Sequence, residues 1–325
     1  MNPNTAMEAA AEGAKALTKF QEIIQKLFNP KWTMRQADAD AYADARKLQT
    51  IRENPDMEIV FVGNEMHARE RTPEAYAFRA GQRELTDSIR QERNLENVFD
   101  ITVNEVRSVE SVSDDPVDED WIVRFFSIVK DVNSAEMQQV WGKILAGEIT
   151  QPSSFSIKTL ETLRCISKKD AEYFQMILPY LMESARDILL YGDTDLLATY
   201  GIPFDVILAL DDCGLISFHS TVELRYIVSD SVYDSICNEE LQIRIFAKDT
   251  GNYEFHHEMF TLTKAGRELY SVLEHQSNAD FVTDVAKDIC SRNNGKIRVF
   301  IHEIDTFVNG QKNWKSLALK EIDID

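Results

Sequence analysis

The stretch Pro116–Ala171, PVDEDWIVRFFSIVKDVNSAEMQQVWGKILAGEITQPSSFSIKTLETLRCISKKDA, decides the fold class of this chain. Trp121, Ile122, Phe125, Phe126, Val129 and Val132 recur at helical spacing and give a first helix with an aromatic face. Asp118, Glu119 and Asp120 stand at its start, where acidic side chains suit the positive end of the helix dipole. Asn133 or Ser134 can cap a second helix whose buried stripe is Met137, Val140, Trp141, Ile144 and Leu145, with Gly147 placed to end it. Pro152 forbids continuation. Ser153 or Ser154 then caps a third helix (Ile157, Leu160, Leu163, Ile166), and Ser167 with Asp170 opens a fourth.

The same residues carry a family resemblance. Pro116, Val117, Asp118, Asp120, Trp121 and Phe125, then Met137, Trp141, Ile144, Leu145, Gly147 and Glu148, then Pro152, Ser154, Phe155, Ser156, Thr159 and Leu160 resemble the signature of a bacterial family known as domain of unknown function 2806. The resemblance covers roughly residues 85 to 275, a helical block followed by a winged-helix-like block. It implies a bacterial protein, and it implies no catalytic residue, because the family carries no assigned activity. The chain departs from the family pattern at Ser153, where a glycine is expected.

At 325 residues the chain is long enough for two or three domains with cores of their own. With 55 acidic against 35 basic residues the formal charge is -20, which repels phosphate backbones and anionic lipid and disfavours general nucleic-acid binding. The four cysteines, Cys165, Cys213, Cys237 and Cys290, show no paired-ligand spacing. Cys165 and Cys213 fall within apolar helical patterns and read as small core residues in a reducing cytoplasm. No secretory signal and no apolar run of the ~18 residues that a membrane span requires is visible.

Outward from the central stretch, residues 5 to 28 read as a helix with an alanine-rich half and the row Leu17, Phe20, Ile24 and Leu27. A second, polar helix from Met34 to about Ile51 offers little apolar area to cover that row. The expectation is therefore a contact with another subunit, or with a membrane surface as a peripheral helix. Ile59 to Val62 reads as a strand in need of a partner. Thr72 and Pro73 start a long helix reaching about Val112, broken near Gly81, with Ile89, Leu95, Val98, Phe99, Val103 and Val106 as its buried side.

Beyond the signature, Ala171 to Tyr191 reads as an apolar helix interrupted at Pro179. Pro203 to Ile216 is a short helix ending at Gly214. Strands at Leu224–Val228 and Leu241–Phe246 precede Phe260–Leu262, and Thr263 caps a further helix. That order resembles a winged-helix module, but the segment 229–253 lacks the basic tip of a DNA-reading wing. A helix over Phe281–Ile289, a turn at Asn293–Gly295, a strand over Ile297–Ile301 and a segment around Trp314–Ile322 form a C-terminal α/β piece.

The expected fold is thus mainly α with a smaller α/β part: residues 1–72 as N-terminal helices and linker, 73–192 as a helical signature domain, 193–276 as the winged-helix-like module, and 277–325 as the C-terminal piece. No nucleophile elbow, phosphate loop or metal-ligand set is recognisable, so no catalytic, cofactor-binding or metal residue is assigned. His256, His257 and Glu258 adjoin on a strand but lack further ligands at suitable spacing. Asp118 and Asp120 are better explained as cap and dipole partners than as acid–base groups. Trp121 and Trp141 head apolar stripes and suit a core, or alternatively a partner pocket. Glu148, after Gly147, sits where the helix dipole disfavours an anion, which suggests pairing with Lys143 or Arg164, or an inter-subunit contact. Trp121, Trp141, Glu148, Leu17, Phe20, Ile24 and Leu27 are therefore the candidate interaction residues. The functional expectation is a cytoplasmic, non-catalytic interaction or sensor protein that self-associates or binds a protein partner, with genome defence or toxin-like membrane action as a setting. A winged-helix DNA-binding regulator and an enzyme of unrecognised type are the alternatives.

Overall fold

The structure is a computed structural model, which describes residues 3–27, 57–62, 65–70, 73–107, 109, 111–184, 187–231, 234–293, 295–308, 311–314 and 320–322. The expected polar helix 34–51 lies outside these residues. The chain divides into two compact units, residues 1–155 and 156–325. The signature segment 73–192 of the sequence reading straddles that boundary. Helices dominate the first unit and an antiparallel sheet organises the second, so the chain is mainly α with a β-rich part.

In the first unit, helix α1 (Pro3–Leu27) is followed by strands β1 (Met57–Val62) and β2 (Glu65–Glu70). They pair antiparallel in register from Met57↔Glu70 to Val62↔Glu65, which supplies the partner that the apolar run needs. Helix α2 (Pro73–Val106) is one helix of 34 residues, unbroken at Gly81 and ending before Val112. Helix α3 (Glu119–Val129) is capped by the Asp118 carboxylate, which accepts from Trp121 N–H at 2.9 Å. Helix α4 (Ala135–Thr150), capped by Ser134, crosses α2 closely. Gly142 makes the crossing close: a Cβ there would collide with the Ile101 side chain.

The buried row of α2 is Asn94, Val98, Thr102 and Val106, spaced by four residues. Ile89, expected in that row, is 54% exposed, because α3 and α4 meet only the C-terminal half of α2. Two of the four buried residues are polar and form hydrogen bonds. Asn94 Nδ2 donates to Lys130 O (2.9 Å) and Asn133 Oδ1 (3.0 Å), and Gln138 Nε2 donates to Asn94 Oδ1 (3.1 Å) and Val132 O (2.8 Å). Thr102 Oγ1 donates within its helix to Val98 O and is 3.2 Å from Gly142 O. This network fixes the α3–α4 turn on α2.

In the second unit, α5 (Ile157–Cys165) is capped by Ser156 rather than Ser153 or Ser154, and α6 (Lys168–Ile177) begins with the reciprocal Ser167–Asp170 capping box. A 3₁₀ turn at Leu178–Tyr180 leads into strands β3 (Leu181–Glu183) and β4 (Ile188–Tyr191). The helix expected through Tyr191 is therefore a helix followed by a hairpin. Pro179 lacks the N–H that would continue the helix, and Leu181, Met182, Leu189 and Leu190 pack as paired strand residues.

Helices α7 (Thr194–Thr199) and α8 (Phe204–Asp212) come next. They are followed by β5 (Ile216–Val228), β6 (Asp234–Cys237), β7 (Leu241–Ala247) and β8 (Tyr253–Leu262). Helices α9 (Lys264–Tyr270) and α10 (Ala279–Arg292) and strands β9 (Ile297–Val308), β10 (Gln311–Trp314) and β11 (Lys320–Ile322) complete the unit. The sheet order is β10-β9-β7-β6-β3-β4-β8-β5, with β11 also on β9. β6 and β7, inside the segment read as a wing, lie mid-sheet, where Ile236, Ile243 and Ile245 are fully buried. The C-terminal strand β9 joins β7 and is thus part of the same sheet, covered by α10 through Phe281, Val285 and Ile289.

Candidate functional site

The signature residues of the first unit converge on one aromatic cluster. Trp121 stacks on Phe125 with ring centroids 5.0 Å apart, and Phe125 meets Trp141 edge-on at 5.5 Å. Phe125 also meets Phe126, which touches Phe99 of α2, and Phe99 touches Phe20 of α1. Trp121 and Trp141 are 3% and 1% exposed, so both are core residues and neither indole offers a surface to a partner. The Trp121 indole N–H is buried without a hydrogen-bond partner.

Glu148 lies inside α4, not beyond its end, because the helix continues through Gly147 to Thr150. At 1% exposure its carboxylate accepts from the amides of Ser153 (2.7 Å) and Phe155 (2.9 Å). These two charge-assisted bonds clasp the turn that follows the helix. Gly147 has a different job from the one expected: a Cβ there would lie 2.7 Å from Phe155 Cε2, so the glycine admits the Phe155 ring. Ser153 has φ +73°, the left-handed region that glycine adopts without a Cβ penalty. The signature's Gly-Glu and Ser-Phe elements are thus two sides of one buried clasp.

Over residues 11–25 helix α1 is covered within the chain. Gly13, Ala16, Phe20 and Ile23 form its buried face, while Leu17 and Ile24 are half-buried and the Leu27 side chain lies outside the described residues. The expected row is therefore rotated, and the cover is α2, α4 and the segment 112–115, none of which a comparison with the second helix alone took into account. Glu12 accepts from Val112 N–H at 2.8 Å, Lys15 donates to Val112 O at 2.7 Å, and Lys19 donates to Ser113 O and Asp115 O. The Asp114 carboxylate, hydrogen-bonded to Lys15, is held below its ordinary range. An uncovered stripe calling for a membrane or a second subunit is absent from the described part of α1. A cleft of about 110 Å³ beside it, lined by Lys19, Glu22, Ile23, Asp114, Pro116, Val117 and Ile122, is small against the several hundred cubic ångströms of an ordinary ligand site.

Two polar clusters that sequence reading missed lie in the second unit, each assembled from residues distant in sequence. On α10, Asp284 accepts from Tyr200 (2.7 Å) and pairs with Lys287, while Asp288 accepts from Tyr191 (2.5 Å) and pairs with Arg292, which also reaches Asp193. Burial and the Asp284 carboxylate raise the Tyr200 hydroxyl well above its ordinary range, so it remains a donor. At another place His275 Nε2 lies 2.8 Å from Tyr270 OH and 3.5 Å from Glu239 Oε1, and its Nδ1 is 3.1 Å from Leu273 O. A neutral ring protonated at Nδ1 donates to Leu273 O and accepts from Tyr270. The first cluster ties the end of β4 and both caps of α7 to α10, and the second ties the end of α9 to the segment that follows it.

Of the cysteines, Cys165 is exposed and Cys213 half-buried, contrary to the core reading for Cys165; its position at the last turn of α5 faces out. Burial pushes the Cys213 thiol up to about 11. Cys237 and Cys290 are buried. No group of three or more His, Cys, Asp or Glu side chains placed to hold a metal occurs among the described residues. The side chains of His256 and His257 lie outside them. No described helix is long and apolar enough to cross a membrane.

The class these observations define is a two-unit protein, helical then sheet-centred, whose signature residues build a buried clasp and aromatic core. The chain belongs to the family described as "Protein of unknown function (DUF2806)", whose model matches residues 78–286. No curated protein and no solved structure matches.

Proposed function

We propose that this is a non-catalytic bacterial interaction or sensor protein that self-associates, acting in the cytoplasm with genome defence as its setting. The observation that carries the reading is the solvent face of α8. Residues 193–276 are read as a winged-helix-like module, since α8 leads through Gly214 (φ +77°) into β5, β5 pairs with β8, and Thr263 Oγ1 at the start of α9 donates back to Gly214 O at 2.6 Å. In such a module the helix ahead of the first wing strand is the one that enters a DNA groove. Here α8 contains no lysine or arginine and exposes Phe204, Asp205, Leu208 and Asp212. Acidic and apolar side chains suit a protein surface and repel phosphates.

Two measurements test the reading. Sedimentation of the full chain should give an oligomer, and a gel-shift series over rising salt should give no binding of random duplex at physiological salt. Micromolar duplex binding that falls steeply with salt would overturn the reading in favour of the DNA-binding regulator.

A further inference from the structure

Helix α1 is held to its unit by little apolar surface and much polar contact. Over residues 11–25 only Gly13, Ala16, Phe20 and Ile23 are buried. The rest of the attachment is a clasp on the backbone of the segment 112–115. The Glu12 carboxylate accepts from Val112 N–H, and the Lys15 and Lys19 ammonium groups donate to the carbonyls of Val112, Ser113 and Asp115. Lys15 also pairs with Asp114, whose side chain is 93% exposed, so water and salt screen that pair. The seam is open towards the end of α1, where the cleft of about 110 Å³ is lined by Lys19 and Ile23 of the helix and by Asp114, Val117 and Ile122. Helix α4, in the same unit, fully buries Trp141, Ile144, Leu145 and Ile149 instead. Elements with few buried apolar contacts open locally, ahead of the body they rest on.

The helix does not depend on that seat to stay helical. Ala9, Ala10, Ala11, Ala14 and Ala16 are strong helix formers, and its 25 residues exceed the roughly 15 below which isolated helices are marginal. Its charges also cancel, since Glu8, Glu12 and Glu22 are matched by Lys15, Lys19 and Lys26. In a chain of net charge -20, α1 is therefore a neutral element that a second copy does not repel at long range.

The seat is shaped for this helix. A Cβ at Gly13 would lie 3.0 Å from Arg107 O, which favours glycine there, and one face further along Phe20 meets the Phe99 ring edge-on at 5.5 Å. Between them, the acid at position 12 and the lysines at 15 and 19 match one amide and three carbonyls. An emptied seat is thus satisfied in full by another α1. We propose that α1 exchanges between two copies of this chain, each helix leaving its own seat and docking on the seat of the other in a two-fold dimer. The proposal rests on the self-association reading above and names its means. Exchange needs no uncovered stripe, because every contact of α1 in the dimer is one that the single chain already makes, and closed two-fold pairing is the commonest homo-oligomeric arrangement. Residues 28–56 join α1 to β1, a length of chain that can reach tens of ångströms. Since the single chain fills its own seat equally well, the dimer grows only as concentration rises.

The test uses the Lys15–Asp114 pair, whose Nζ and Oδ1 lie 2.6 Å apart. A carbodiimide activates the carboxyl group and couples it to the amine as an amide, the reagent taking up the water. Full-length chains carrying light and heavy nitrogen are mixed at a dilution where both are monomeric, concentrated, coupled and digested, and the peptides that join Lys15 to Asp114 are weighed. Exchange predicts joined peptides with one light and one heavy half, increasing with concentration alongside a dimer in sedimentation equilibrium. Lys15→Gln should abolish the link, which verifies its assignment. Phe20→Asp, which spoils the docking of α1, should raise the dimer Kd by at least about tenfold while buried Trp121 and Trp141 keep a native near-ultraviolet signal. A wild-type chain that is monomeric at every concentration overturns self-association and exchange together. A dimer whose Lys15–Asp114 links are all of one isotope, or one that survives Phe20→Asp, leaves self-association standing and overturns exchange.

Discussion

The two halves of α2 are built from similar residues and have opposite fates. Between Arg90 and Val106 the helix buries Asn94, Val98, Thr102 and Val106, two of them polar, while between Gly81 and Ile89 it exposes Leu85 and Ile89. Hydrophobicity alone would rank these the other way. The difference lies in the partner: the C-terminal half meets α4 at Gly142, where the missing side chain lets the two backbones approach, and the turn at 130–134 supplies acceptors for Asn94. The lesson is that burial is a property of a site with something on both sides, and that a polar residue is tolerated when its hydrogen bonds are met there.

The largest effect expected from this comparison is at Trp141. Replacing it by alanine removes a fully buried indole and its edge contact with Phe125, and should cost about 3–5 kcal/mol in urea unfolding. Leu85→Ala, on the exposed half, should stay within about 0.5 kcal/mol of wild type in dilute monomer. Equal losses at the two positions would mean that the exposed half is packed on its own chain after all.

A matched pair of glycines sharpens the contrast. Gly142→Ala forces a methyl into Ile101 and should cost about 1–3 kcal/mol despite the better helix propensity of alanine. Gly81 has open space around it, so Gly81→Ala should instead stabilise by up to about 1 kcal/mol. The same substitution thus has opposite signs at the two sites, readable as a shift in thermal midpoint.

Between these lies Asn94→Ala, which strips the buried Gln138 amide of one acceptor and should cost about 1–3 kcal/mol. Gln138→Ala made alongside should prove less than additive, since both single changes break the same contact. Additive losses would show that the two residues act separately.

The smallest effect concerns pH. Burial pushes the Asp131 carboxyl up, but hydrogen bonds from Gln91 and Arg90 outweigh it and hold the acid below its ordinary 3.8. A depressed folded value means that the contribution is present above about pH 3.8 and is lost as pH falls through the lower, folded value. Arg90→Ala should move the Asp131 titration upward in a carboxyl NMR series and narrow that window. The pair is half exposed, so the gain in stability is small and screened by salt.

The sequence by itself determined the local features whose causes lie within a few residues. Asp118, Ser134, the Ser167–Asp170 box and Thr263 start helices where their side chains reach the nearest free amides. The 3.6-residue recurrence of Trp121, Phe125, Trp141 and Ile144 marks faces that are buried, and the expected family is the one whose model matches residues 78–286.

Only the tertiary structure decided where those faces go. Periodicity cannot distinguish Ile89 from Val98, because both repeat at helical spacing and only the reach of α4 separates them. It also misread Leu181–Tyr191, where a short apolar run suits helix and strand alike and pairing with β8 and β6 settles the matter. The cover of α1 comes from residues about a hundred positions away, and Glu148 finds its partners in amides of a turn that a residue pattern does not display. These outcomes share one physical reason: side-chain periodicity records which face is apolar, whereas the backbone groups and glycine gaps that receive that face are brought near only by folding.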